Sequence, residues 1–84
     1  MTEPTRWEIK KIINVANELQ HSGRTAASMG EVIAAAFVLN KPEYFPVQYH
    51  DMIDAWERLG GEWQQHVITV KEHYMHLIQQ EEER

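Results

Sequence analysis

Glu62, His66, His73 and His76 recur along one edge of the last third of an 84-residue chain. Glu62 and His66 stand at i and i+4, His73 and His76 at i and i+3, and both spacings bring side chains together on a helix. Imidazole and carboxylate donors suit zinc or nickel. A structural zinc site wants a closed set of ligands, however, and HVITVKEHYMH lacks the HExxH pattern of a catalytic one. The stronger reading puts His66 and His73 at the border of an apolar stripe, where a half-buried ring closes the edge of the core. His66, His73 and His76 are therefore weak metal candidates, and no metal or cofactor is expected. A pH-responsive association is an alternative use, because histidine titrates near neutrality.

Other reactive groups are scarce. Cysteine is absent, which removes thiol nucleophiles, thiolate metal sites and disulfide staples. GxSxG, a P-loop and a Rossmann fingerprint are missing, and the glycines of SMGE and LGGE are isolated rather than set in a phosphate cradle. Acid–base catalysis needs an enclosed pocket, for which a few short helices leave little room. The chain is not expected to be an enzyme.

Charge limits the partners. Eight Lys and Arg against thirteen Asp and Glu give a formal net charge of −5, which repels phosphate backbones on average. Residues 28–59 can be read as a helix–turn–helix, but the connection NKPEYFPVQ is long and rigid for that motif. The would-be recognition helix VQYHDMIDAWERL carries two Asp, one Glu and a single Arg, a poor groove reader. Only Arg6, Lys10 and Lys11 cluster among the basic residues, so nucleic acid is disfavoured as a partner. The opening MTEPTRWEIK has no apolar signal region, and the apolar run Val32–Leu39 is too short to span a bilayer. A cytoplasmic protein with no membrane partner is expected.

These residues must be positioned by helices. Thr5, Ser28 and Asn40 are each followed three residues later by Glu8, Glu31 and Glu43, the spacing of a capping box. In the first segment Ile9, Ile12, Ala16 and Leu19 share one face, and Gly23 suits a left-handed stop. In the second, Val32, Ile33, Ala36, Phe37 and Leu39 form a large face. Ala34, Ala35 and Val38 form a small back, open to solvent or to a close neighbouring helix. Pro42 should end this helix near Asn40, and Pro46 can start the next one. Tyr44 and Phe45, beside Pro46, could form a small exposed apolar patch.

The third segment raises a question. Met52, Trp56, Leu59, Trp63, Val67, Val70, Tyr74 and Leu77 fall in one stripe, and the stripe keeps phase across Gly60 and Gly61. Phase favours one continuous helix. Against it, each interior glycine costs roughly 1 kcal/mol, and an unbroken rod over residues 47–82 would be about 54 Å long. Such a rod overhangs a domain of this size. The balance tips narrowly towards a break, with Gly60 as cap. The expected fold is all-α: one domain over residues 1–84, a small bundle of three to four helices at about 6–20, 29–40, 47–59 and 62–82, the last two separate or forming one long kinked helix. The tail at about 80–84, acidic through Glu81–Glu83, should fray, since negative charge opposes the dipole at a helix C-terminus.

The functional expectation follows from surplus apolar surface. Trp7, off the apolar centre of its helix, together with Val67, Val70, Tyr74, Leu77 and Ile78, would be exposed for contact with another protein or with a second copy in a homodimer. Trp56 and Trp63 read as core. Asp51, Asp54, Glu57 and Glu62 form an outer acidic face, which suggests an alternative: a modulator of a nucleic-acid-binding protein, mimicking phosphate charge. A small acidic interaction or regulatory module, comparable in size and composition to bacterial or phage accessory proteins, is the leading expectation. No family is matched by motif.

Overall fold

In a computed structural model, which describes residues 6–47, 49 and 51–78, the chain folds as an all-α bundle of three principal helices. Helix α1 spans Trp7–Ser22, α2 spans Met29–Leu39 and α3 spans Met52–Thr69. Among the described residues there is no strand, and no helix is long and apolar enough to cross a membrane.

Local chemistry sets most of the boundaries. Helix α1 runs two residues further than expected and stops where Gly23 takes φ 81°, its N–H donating to the Leu19 carbonyl at 2.8 Å. The expected cap Thr5 lies outside the described residues; Arg6 stands at the cap position without a side-chain cap bond. At Ser28 the reciprocal box is complete. Its hydroxyl accepts from the Glu31 N–H at 3.3 Å, and the Glu31 carboxylate accepts from the Ser28 N–H at 3.1 Å.

The third expected box is not formed. Asn40 ends α2 in the left-handed region, φ 58° and ψ 37°, a conformation asparagine tolerates. Lys41 is then extended ahead of a single 3₁₀ turn at Pro42–Tyr44. The Lys71 ammonium donates to the Phe37 carbonyl at 3.2 Å and to Asn40 Oδ1 at 3.0 Å, placing a cation where the α2 dipole is negative.

Helix α3 begins at Met52, later than expected after Pro46. The Pro46 carbonyl is taken up by a turn with the Tyr49 N–H, and Asp51 is the better cap, its carboxylate accepting from the Ile53 N–H at 2.9 Å. The glycine question is settled by Gly60, at φ 79° and ψ 164°, a region essentially confined to glycine. The helix is broken there. Gly61 is helical and starts the second half. The molecule measures 36 × 34 × 21 Å, and among the described residues no helix protrudes as a rod.

Beyond Thr69 the helix loosens into a π turn at Val70–Tyr74, tightens into a 3₁₀ turn at Met75–Leu77 and ends with Ile78 extended. The expected helix to residue 82 therefore stops short. The Asn17 side-chain amide donates to the Leu77 carbonyl at 3.2 Å, and Ile78 is buried, so the chain turns inward onto α1. The frayed acidic stretch at 80–84 lies outside the described residues.

Helix α2 is the centre of the bundle, packed against both α1 and α3. This explains its small back: Ala34, Ala35 and Val38 are buried, so the close-approach reading holds and the solvent reading fails. Val32, Phe37 and Leu39 are half-buried. Phe37 lies 5.0 Å from both Phe45 and Trp56, ring to ring. Tyr44 and Phe45 pack against the core instead of forming an exposed patch.

Candidate functional site

The apolar residues expected on the surface of the third segment divide into two groups. Val67, Val70 and Ile78 are 1%, 0% and 4% exposed, core residues that no partner can reach in this fold. Tyr74 and Leu77 are half-buried against the same core. The expectation of an exposed seam rests on surplus apolar surface. The break at Gly60 redirects the second half so that this face meets α1 and α2. Trp7 is exposed, at 61%, but its ring sits edge-on to Trp63 at 6.1 Å, so it also covers the contact between α1 and α3.

Besides Trp7, the exposed large apolar side chains among the described residues are Val47, Met52, Ile53 and, at 37%, Ile68 on the second half of α3. Val47 is 79%, Met52 48% and Ile53 66% exposed; Met52 and Ile53 open α3, and Val47 precedes it by five residues. Asp51, Asp54 and Glu57 are exposed in the same stretch, and residues 47–57 contain no Lys or Arg. On a helix Glu57 is one turn from Ile53 and Asp54 is adjacent to it, so carboxylates flank the apolar groups. The sequence signal for Met52 was misleading, because it belongs to the apolar stripe, yet the late start of the helix leaves it on the first turn beside solvent. For Ile53 the signal was present: it falls outside the stripe.

The acidic face is not continuous. Asp51, Asp54 and Glu57 precede the break, whereas Glu62 follows it and is engaged with Arg6, Nη2 to Oε2 at 3.5 Å. Arg6 Nη2 also lies 3.7 Å from Glu8 Oε2.

Glu62 belongs to a second cluster. Glu8, Glu62 and His66 each bring one donor atom within 4.8 Å of the others. His66 is 6% exposed, its ring lies edge-on to Trp63 at 5.5 Å, and its Nε2 is 3.8 Å from Glu62 Oε2. That nitrogen is buried and has no hydrogen-bond partner. An unmet buried polar group costs about 1–3 kcal/mol and calls for an explanation. The i,i+4 spacing brought Glu62 and His66 together, as expected. Glu8 was missed, because its contact crosses between helices. His73 and His76 are exposed and do not join the cluster; His73 Nε2 lies 3.9 Å from Glu72.

No family model, curated protein or solved structure matches this chain.

Proposed function

We propose that this protein is a small interaction module that docks the start of α3 onto another protein, one presenting an apolar hollow rimmed by lysine and arginine. The observation that carries this reading is the coincidence of Val47, Met52 and Ile53, all solvent-exposed, with Asp51, Asp54 and Glu57 and with no Lys or Arg from 47 to 57. Exposed apolar groups rimmed by charge are what binding patches offer. Met52 and Ile53 on the first turn of α3, with Val47 shortly before it in the chain, offer an anchor smaller than the roughly 800 Å² per partner of a standard interface. They suit insertion into a preformed hollow. A second copy of the chain is a poor occupant, because two like acidic rims would face each other, and like-charge juxtaposition costs several kcal/mol.

The phosphate-decoy alternative is less well supported. It asks for charge along a continuous edge, and the break at Gly60 divides Asp51, Asp54 and Glu57 from Glu62.

The test is photo-crosslinking from position 53 in cell extract, with position 24 as control, followed by affinity measurements on the captured protein. Arg24 lies exposed in the loop between α1 and α2. Ile53→Ser should weaken binding at least about tenfold, the size of a modest hot spot. Asp54→Lys/Glu57→Lys should slow association, and added salt should slow the wild type in the same way. Equal binding by all three chains would refute the reading.

A further inference from the structure

We propose that Glu8, Glu62 and His66 form a binding site for a divalent transition-metal ion of the zinc class. The site joins two elements. Glu8 comes from the first turn of α1, and Glu62 and His66 come from successive turns of α3 just beyond the break at Gly60. Their donor atoms lie within 4.8 Å of one another, a spread that modest side-chain rotation can close around one ion with bonds of about 2.0–2.2 Å.

His66 points to a ligand. Its ring is almost wholly buried, and Nε2 has no hydrogen-bond partner, lying on the carboxylate side 3.8 Å from Glu62 Oε2. In the neutral tautomer protonated at Nδ1, that nitrogen carries a lone pair, and neutral imidazole is the commonest metal ligand. One nitrogen and two carboxylate oxygens favour zinc, cobalt or nickel over magnesium or calcium. The Glu62 side chain is 67% exposed and the Glu8 side chain 15%, so an ion can reach the site from the Glu62 side.

Arg6 is the competing occupant. Its Nη2 stands 3.7 Å from Glu8 Oε2 and 3.5 Å from Glu62 Oε2, supplying positive charge to the two carboxylates. Its side chain is 59% exposed and free to swing into solvent when an ion arrives. The competition gives the site a signature: removing the guanidinium should tighten metal binding, which a purely structural ion-pair network would not do.

The experiment titrates Zn²⁺ into the full chain by calorimetry, with Ni²⁺ quenching of tryptophan fluorescence as a second readout, since the Trp63 ring is 5.5 Å from that of His66. One Zn²⁺ per chain is expected. Glu8→Gln and Glu62→Gln should each weaken binding at least about tenfold, the lower bound for disturbing even an outer partner of a metal ligand. Arg6→Gln should tighten it, and His73→Ala/His76→Ala should leave it unchanged. Circular dichroism of each variant checks that the fold persists, and the carboxamide changes leave buried His66 untouched. Absence of Zn²⁺ binding by both the wild type and Arg6→Gln overturns the proposal. So does binding that survives in Glu8→Gln and Glu62→Gln but is lost in His73→Ala/His76→Ala.

Discussion

The side-chain amide of Gln64 donates to the backbone carbonyl of Trp56 at 2.7 Å, reaching across the break at Gly60. Trp56 carries one of the last carbonyls of the first half of α3, the kind of group a helix end leaves short of partners. Gln64 thus satisfies one half of the helix from the other and fixes the angle between them. Gln64→Ala should cost about 1 kcal/mol, the usual net value of a hydrogen bond, read from chemical denaturation.

The two glycines should respond in opposite directions. Gly60 has φ 79° and ψ 164°, while Gly61 is helical, and an added Cβ at either position meets no atom within 4 Å. Sterics between side chains therefore play no part, and the backbone alone decides. Gly60→Ala should destabilise by about 1–3 kcal/mol. Gly61→Ala should stabilise by roughly 0.5–1 kcal/mol. Thermal melts of the two single variants check the contrast, and equal shifts of the same sign would mean that the break is not at Gly60.

Ser28→Ala removes one side of the only complete capping box among the described residues. A loss of about 1 kcal/mol is expected. Because α2 is the helix that both others pack against, the loss should appear in global unfolding rather than as local fraying; hydrogen exchange of the α2 amides distinguishes the two.

Buried and exposed apolar residues of α3 and its extension should separate stability from binding. Val70 is 0% exposed, so Val70→Ala should cost roughly 2 kcal/mol from two lost carbons at about 0.8 kcal/mol each, plus a cavity term. Ile53 is 66% exposed, and Ile53→Ser should change stability by no more than about 0.5 kcal/mol while abolishing most partner affinity. Denaturation midpoints of the two variants, set beside their affinities, check both halves.

Signals contained within a few residues were legible from sequence. The Ser28–Glu31 box, the Gly23 stop and the apolar face of α1 are local, and the structure has them where the spacing put them. The third segment was harder. Hydrophobic phase records which residues are buried, not whether the backbone between them is continuous. Leu59 on one side of the break and Val67 on the other both reach the shared core, so the stripe survives a break that periodicity cannot register. The glycine pair tips the reading towards a break, which the structure has, yet the surplus of apolar residues still points to an exposed seam at Val67 and Val70, and both are core. Glu8 was invisible for a different reason. Its spacing fits a capping box, and nothing along one helix reveals a carboxylate brought in from another. The late start of α3 was missed because Pro46 is a good first residue of a helix, while the stronger local bond belongs to Asp51.

The mass of the chain in solution, measured by light scattering on a sizing column at low and high salt, tests most directly the claim that a self-sufficient fold offers the start of α3 to a different protein. A monomer near 9.9 kDa at both salt concentrations is predicted, because the core is closed by Val67, Val70 and Ile78 within one chain, and at low salt the acidic rims add repulsion. A stable dimer that Ile53→Ser converts to monomer would contradict it, and would make a second copy of this chain the occupant of that surface.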